Sequence, residues 1–206
     1  MLNELGYCKK FPHKNLSAYL TIQKRKVSPL GLRFSPTVII LLLLTGNTPM
    51  IKPHVTLATQ EHVNELAEKL RPADINEVYL PSGMTIHTEL TESLKLSKYA
   101  WAIHYKNEVV GVFGVVDHPT DNDTGIPWLL STEKLNDCSL SFIKECVGAI
   151  DVMHILYKTL ITLSHEGHLV AHKWLKRCGF EAGNKHENIG IENTTFIEFK
   201  KVSEYV

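Results

Sequence analysis

The chain has 206 residues, of which 44% are hydrophobic and 21% are charged, as is typical of a globular protein of one domain to one and a half domains. This composition excludes a chain that is disordered, collagen-like or coiled-coil throughout. The net charge is zero, so global charge gives no reason to expect nucleic-acid binding. The four cysteines form no Cys-x-x-Cys pair, which argues against a disulfide framework and against a structural zinc site.

The charge is unevenly distributed along the chain. Residues 1–49 carry seven Lys or Arg and one acidic residue, whereas the remaining 157 residues carry 15 basic and 21 acidic residues. The apolar run Val38–Leu44 is far shorter than the ~20 residues of a membrane span. We therefore predict that residues 1–49 are a disordered basic leader, or an upstream segment foreign to the mature protein, which would then start at Met50. A signal peptide is the alternative, but no Ala-x-Ala-type site follows the run.

Regular patterning begins after Met50, so residues 50–206 are the predicted folded domain. A strand is expected over 54–58, and Thr59 is the expected N-cap of a helix that ends before Pro72. A short helical turn over 74–79 and a helix over 85–96 follow. The predicted elements after these are strands over 99–105, 109–116 and 126–132, a helix over 139–157, a strand over 158–164, a helix over 167–178, and strands over 180–183 and 194–202. This order favours an α/β fold with a mixed sheet and helices on both faces.

Local signals define several boundaries within this order. Lys106-Asn107-Glu108 predicts the turn of a β-hairpin, and Gly179 predicts the end of the last helix. Asn136 or Asp137 is the expected cap of the helix over 139–157. The polar residues 184–193 are expected to form a loop.

The order and length of these elements resemble the GNAT superfamily of acyl-CoA-dependent N-acyltransferases. The most specific match is Ala171–Phe180 (AHKWLKRCGF), which is similar to the superfamily's short apolar helix that ends in Gly-Phe. The resemblance covers about residues 53–202. More narrowly, Gly111–Val115, Gly125–Thr132 and Trp174–Lys176 resemble a GNAT-like phage family that includes an internal virion protein of short-tailed phages.

The resemblance implies acetyl-CoA as a possible cofactor, held where two parallel strands splay apart. GNAT enzymes bind its diphosphate with the backbone amides of a glycine-containing turn after the fourth strand. The matching stretch here is Glu133–Ser139, which has no glycine and contains two acidic residues. Partial replacements would come from Lys134 and the Ser139 hydroxyl, and the cleft itself would be lined by the candidate residues Leu130, Ser131 and Thr132.

The resemblance also implies a general acid on the helix after the fifth strand, often a Tyr, and the matching residue here is Leu175, which has no proton to give. His168 occupies the superfamily's Asn position. We consider His165, His168 or Glu133 as a catalytic base, or else His165 and His168 as ordinary polar residues. His168 and His172 have a spacing that can bind a metal, but no third ligand is identifiable, so no metal site is predicted.

Two functions therefore remain open. The favoured one is a phage-encoded GNAT-fold protein that has lost catalysis and acts through contacts with virion or host proteins, in the host cytoplasm or the virion. The alternative is an active acetyl-CoA-dependent N-acyltransferase with a divergent cofactor site. We predict neither a membrane span nor nucleic-acid binding. The sequence does not determine the acceptor substrate or the oligomeric state.

Overall fold

The structure is a computed structural model that describes residues 52–203, except for the side chains of residues 140, 144 and 145. The predictions made for residues 1–49, and for Met50 as a start, lie outside this range. Within it, no helix combines the length and the apolar character that crossing a membrane requires.

The described chain contains seven strands, five α-helices and one 3₁₀ helix. In chain order they are β1 (His54–Leu57), α1 (Gln60–Ala67), α2 (Pro72–Ser82), α3 (Ile86–Leu96), β2 (Ser97–Tyr105), β3 (Glu108–Asp117), β4 (Thr124–Ser131), the 3₁₀ helix (Glu133–Cys138), α4 (Ser139–Leu156), β5 (Thr159–His165), α5 (Leu169–Arg177), β6 (Glu181–Ile189) and β7 (Thr194–Val202).

All seven strands form one mixed sheet in the order β1-β2-β3-β4-β5-β7-β6. Every neighbouring pair is antiparallel except β4 and β5, which are parallel. These two strands pair only at their amino ends, where Thr124 and Gly125 lie opposite Thr159 and Leu160. Beyond those residues β4 stays paired with β3, and β5 stays paired with β7. The two central strands therefore separate into a V that opens towards their carboxyl ends.

The sheet separates two hydrophobic cores. One core is built on α1, α2 and α3, with Leu66, Val78 and Leu90 packed against the sheet residues Val112 and Leu130. The other core lies under α4 and α5 on the opposite face. Its buried residues include Phe113, Phe142, Ile150, Leu175 and Phe199. Helices therefore cover both faces, as the sequence predicts.

Several local predictions are confirmed. The Thr59 side chain accepts the His62 N–H, and the Thr59 N–H in turn donates to the His62 ring, so both groups cap α1. Lys106 and Asn107 both adopt positive φ, as the two-residue turn of a tight hairpin requires. Gly179 follows Cys178, the C-cap of α5, and has a φ of 84°, a left-handed conformation that glycine adopts without strain.

Three local predictions differ from the structure. Residues 184–189 continue β6 instead of forming a loop, because they pair with β7 as an exposed edge strand whose polar side chains face solvent. Neither Asn136 nor Asp137 caps α4, because both lie within the 3₁₀ helix and the N-cap position falls on Cys138. Helix α2 is also longer than the predicted turn, since it begins at Pro72 and continues through Pro81.

Candidate functional site

The carboxyl end of β4 is bound by the first turn of α2. The Ser131 N–H donates to Asp74 Oδ2 at 2.6 Å, and the Ser131 carbonyl accepts the backbone N–H of Arg71 at 3.1 Å. The Ser131 hydroxyl also donates to Asp74 Oδ2, at 3.1 Å. A parallel neighbouring strand would otherwise bind the Ser131 N–H and carbonyl. Ser131 and Asp74 are both buried.

The carboxyl end of β5 is bound by the next turn of the same helix. Glu77 Oε1 accepts the His165 N–H at 3.0 Å and also the Ser164 hydroxyl. Asp74 and Glu77 are three residues apart and therefore lie on one face of α2. One helix face thus supplies one carboxylate to each of the two separated strands.

His168 lies between these two carboxylates, just before α5. Its Nδ1 is 3.1 Å from Glu77 Oε1, and its Nε2 is 3.6 Å from Asp74 Oδ1. The residue is only 6% exposed, and neither ring nitrogen has a hydrogen bond of good geometry within the described chain. We call Asp74, Glu77 and His168 the carboxylate–histidine cluster.

Arg71 supplies the positive charge of this region. Its Nε donates to Asp74 Oδ1 at 2.7 Å, and both side chains are almost completely buried. Burial raises the pKa of the Asp74 carboxyl, while the nearby Arg71 guanidinium, the Ser131 N–H and His168 oppose that rise.

An apolar cavity of about 240 Å³ lies on the α4–α5 side of the V and reaches the carboxylate–histidine cluster. Its lining includes Phe113, Leu129, Phe142, Ile150, Leu163 and Trp174. Arg71, Glu77 and His168 also line it, as do Lys173 and Arg177 of α5. The Phe142 and Trp174 rings are parallel, with centroids 6.5 Å apart, and join α4 to α5 across the cavity.

The segment between β4 and α4 is the six-residue 3₁₀ helix, and its charges are unfavourable for an anion. Glu133 lies in its first turn and Asp137 near its end, and both are exposed. The Lys134 ammonium lies 2.6 Å from Glu108 on β3, where it lowers the pKa of that carboxyl. Thr132 precedes the helix without making a side-chain cap, and its buried hydroxyl has no hydrogen-bond partner in the described chain.

The structure brings together some of the predicted site residues and separates others. Ser131 and His168 contact the α2 carboxylates, and Ser139 lines the apolar cavity. The Leu130 side chain packs in the opposite core, because neighbouring residues of a strand face opposite sides of the sheet. Glu133 accepts a hydrogen bond from Asn136 at the surface and does not reach the cluster.

The structure also shows what surrounds His165, His172 and Leu175, which the sequence analysis considered. The His165 backbone N–H binds Glu77, whereas its ring accepts the Gly167 N–H and packs against Phe196. The His172 ring donates through Nε2 to the His165 carbonyl, and burial lowers the pKa of this imidazole. Leu175 is buried in the α4–α5 core, so no hydroxyl stands at that position.

Sequence reasoning missed Asp74 and Glu77. They lie 57 and 87 residues before their partners Ser131 and Ser164, and no local pattern connects them. The available signal was the i, i+3 spacing of two acidic residues after Arg71-Pro72 in a helix that was predicted to be short.

No family model matches the chain, and no curated protein matches it. Solved structures do match. An N-acetyltransferase from Staphylococcus aureus Mu50 shares 13% identity with a TM-score of 0.57, over 73% of this chain and 98% of the other. An acetyltransferase of the GNAT family from Bacillus anthracis shares 7% identity with a TM-score of 0.56, over 73% and 95%.

The Salmonella typhimurium protein yncA, assigned as an acetyltransferase and solved with its cofactor acetyl-CoA, shares 10% identity with a TM-score of 0.60, over 75% and 96%. The fold is that of the GNAT acetyltransferases. At these identities the likeness concerns the fold alone. The V between β4 and β5, which the resemblance led us to expect, is present in this GNAT fold.

We predict that Asp74→Ala lowers the free energy of unfolding by about 3–5 kcal/mol, because it leaves the Arg71 guanidinium buried without its partner and the Ser131 N–H without an acceptor. The exposed pair Lys134–Glu108 is the control, and Lys134→Ala should cost much less, because solvent screens this pair. Chemical denaturation followed by circular dichroism measures both. Equal losses in the two variants would contradict the role assigned to Asp74.

Proposed function

We propose that this chain is a GNAT-fold protein that does not transfer acyl groups and acts through contacts with other proteins. The observation that carries the proposal is the binding of the separated ends of β4 and β5 by Asp74 and Glu77. The Ser131 N–H and carbonyl at the end of β4 and the His165 N–H at the end of β5 are already hydrogen-bonded to this chain's own α2 and its N-cap residue. An incoming acyl group would have to compete with a buried carboxylate for the Ser131 N–H.

The segment after β4 also fits a coenzyme A diphosphate poorly. An anion site at this place needs free backbone amides and a favourable charge. The 3₁₀ helix has no glycine, carries Glu133 and Asp137, and has its one lysine paired with Glu108. We therefore derive no reaction step through coenzyme A.

Exposed apolar side chains surround the carboxyl end of the V and support a role in protein contacts. Tyr79 on α2, Leu169 at the start of α5 and Ile191 in the β6–β7 turn are 46%, 63% and 52% exposed. The Ile191 N–H donates to the carbonyl of Leu80, which places the turn against α2. The narrower resemblance to a phage virion family makes virion or host proteins the expected partners, in the virion or the host cytoplasm.

The second candidate is acyl transfer from acetyl-CoA with a divergent cofactor site. The observation that favours it is the apolar cavity, whose lining includes His168 with a Glu77 carboxylate oxygen 3.1 Å from its Nδ1. A histidine in that arrangement is a common general base.

Titration of the full chain with acetyl-CoA separates the two candidates. We predict no saturable heat of binding in calorimetry, and no increase in the melting temperature at millimolar acetyl-CoA, because a ligand that binds only the folded state would raise it. A dissociation constant in the micromolar range would contradict the proposal and favour acyl transfer. In that case binding should be lost in Leu129→Arg, which alters the cavity, and kept in Leu57→Arg, which alters the exposed strand β1.

Photo-cross-linking tests the protein contacts directly. A photoreactive residue at Tyr79 is predicted to form one reproducible cross-linked product in phage-infected host cells, whereas the same residue at Ile155 forms none. Ile155 is the matched control because it is 76% exposed in the last turn of α4, which leads into the amino end of β5, away from the opening of the V. Equal labelling at both positions would contradict the assignment of this surface.

A further inference from the structure

We propose that the carboxylate–histidine cluster binds one divalent cation of the zinc type. Asp74 and Glu77 from α2 and His168 before α5 each offer one ligand atom, and these atoms all lie within 4.8 Å of one another. The inference is independent of the proposed function, because a cation at this place would join the two helical layers whether or not an acyl donor binds.

The ligand chemistry fits such an ion. An imidazole nitrogen together with carboxylate oxygens is a donor set of zinc and of related first-row metals. Bonds of about 2.1 Å in a tetrahedral site place neighbouring ligand atoms about 3.4 Å apart. One ion binds only one nitrogen of an imidazole, so a single His168–carboxylate contact, either the one at 3.1 Å or the one at 3.6 Å, corresponds to such a distance.

The second observation that points to a ligand is the state of His168 itself. Its ring is buried, aims both nitrogens at carboxylate oxygens, and makes no hydrogen bond of good geometry within the described chain. A buried nitrogen without a well-formed hydrogen bond is costly, and a cation that takes one ring nitrogen as a ligand removes that cost at this nitrogen.

The surrounding groups hold the ligands in place. Arg71 and Ser131 orient Asp74, and the Ser164 hydroxyl and the His165 N–H orient Glu77. Hydrogen bonds of this kind to metal-binding carboxylates are a regular feature of protein metal sites. A divalent cation would also suit a cluster whose two acidic side chains contact a single basic side chain, that of Arg71.

The test uses the full chain, freed of metal with a chelator and titrated with zinc chloride by calorimetry, with elemental analysis of the bound metal. The expected result is one zinc ion per chain and a higher melting temperature with zinc. Because the loss of even an outer partner costs about 10–100-fold in affinity, His168→Gln should weaken zinc binding about 100-fold or more. His186→Gln, which alters a single histidine–carboxylate pair on β6, should leave it unchanged.

Other histidines supply the competing explanation. The rings of His54 and His62 both lie about 5 Å from that of His104, and this group could bind zinc by itself. Zinc binding that survives His168→Gln and is lost in His104→Gln would overturn the proposal, as would wild-type protein that binds no zinc. If circular dichroism shows that His168→Gln does not fold, zinc binding is compared between Glu77→Gln and His186→Gln instead. The proposal then requires weaker binding in Glu77→Gln and unchanged binding in His186→Gln.

Discussion

The structure depends on the hydrogen bonds that the backbone makes where β4 and β5 separate. Two parallel strands at the centre of a sheet normally exchange hydrogen bonds along their length, but here the pairing stops after two residues of each strand. Backbone N–H and C=O groups cannot be left buried without partners. Helix α2 resolves this problem because its Arg71 N–H and Asp74 carboxylate bind Ser131, while Glu77 binds the end of β5.

The V therefore has different surroundings on its two sides. It is open on the α4–α5 side, where the separated strands border the apolar cavity. On the other side, at the carboxyl ends of the strands, the acidic side chains Asp74 and Glu77 of α2 meet His168 through the gap between the strands. The chain thus has the GNAT fold, with two α2 carboxylates at the carboxyl ends of β4 and β5 and no glycine in the 3₁₀ helix.

The sequence predicts those parts of the fold that short-range physics determines. The Thr59 cap, the Lys106-Asn107 turn and the end of α5 at Gly179 each depend on a few adjacent residues. The length of β6 was missed because an exposed edge strand lacks the alternation of apolar residues that identifies a strand. Only part of the site was predicted from the sequence. His168 was recognised, but its carboxylate partners come from a helix more than 85 residues earlier, and only the folded chain brings them together.

The most direct test of this account is native-state amide hydrogen exchange at Ser131 and His165, followed by nuclear magnetic resonance. Neither amide donates to a neighbouring strand in the described structure, yet each donates to a carboxylate of α2. The account predicts that both exchange as slowly as the amide of Val112 in the middle of the sheet, and that Asp74→Ala accelerates Ser131 more than His165. Exchange at the rate of an exposed turn amide in the wild-type protein would contradict it.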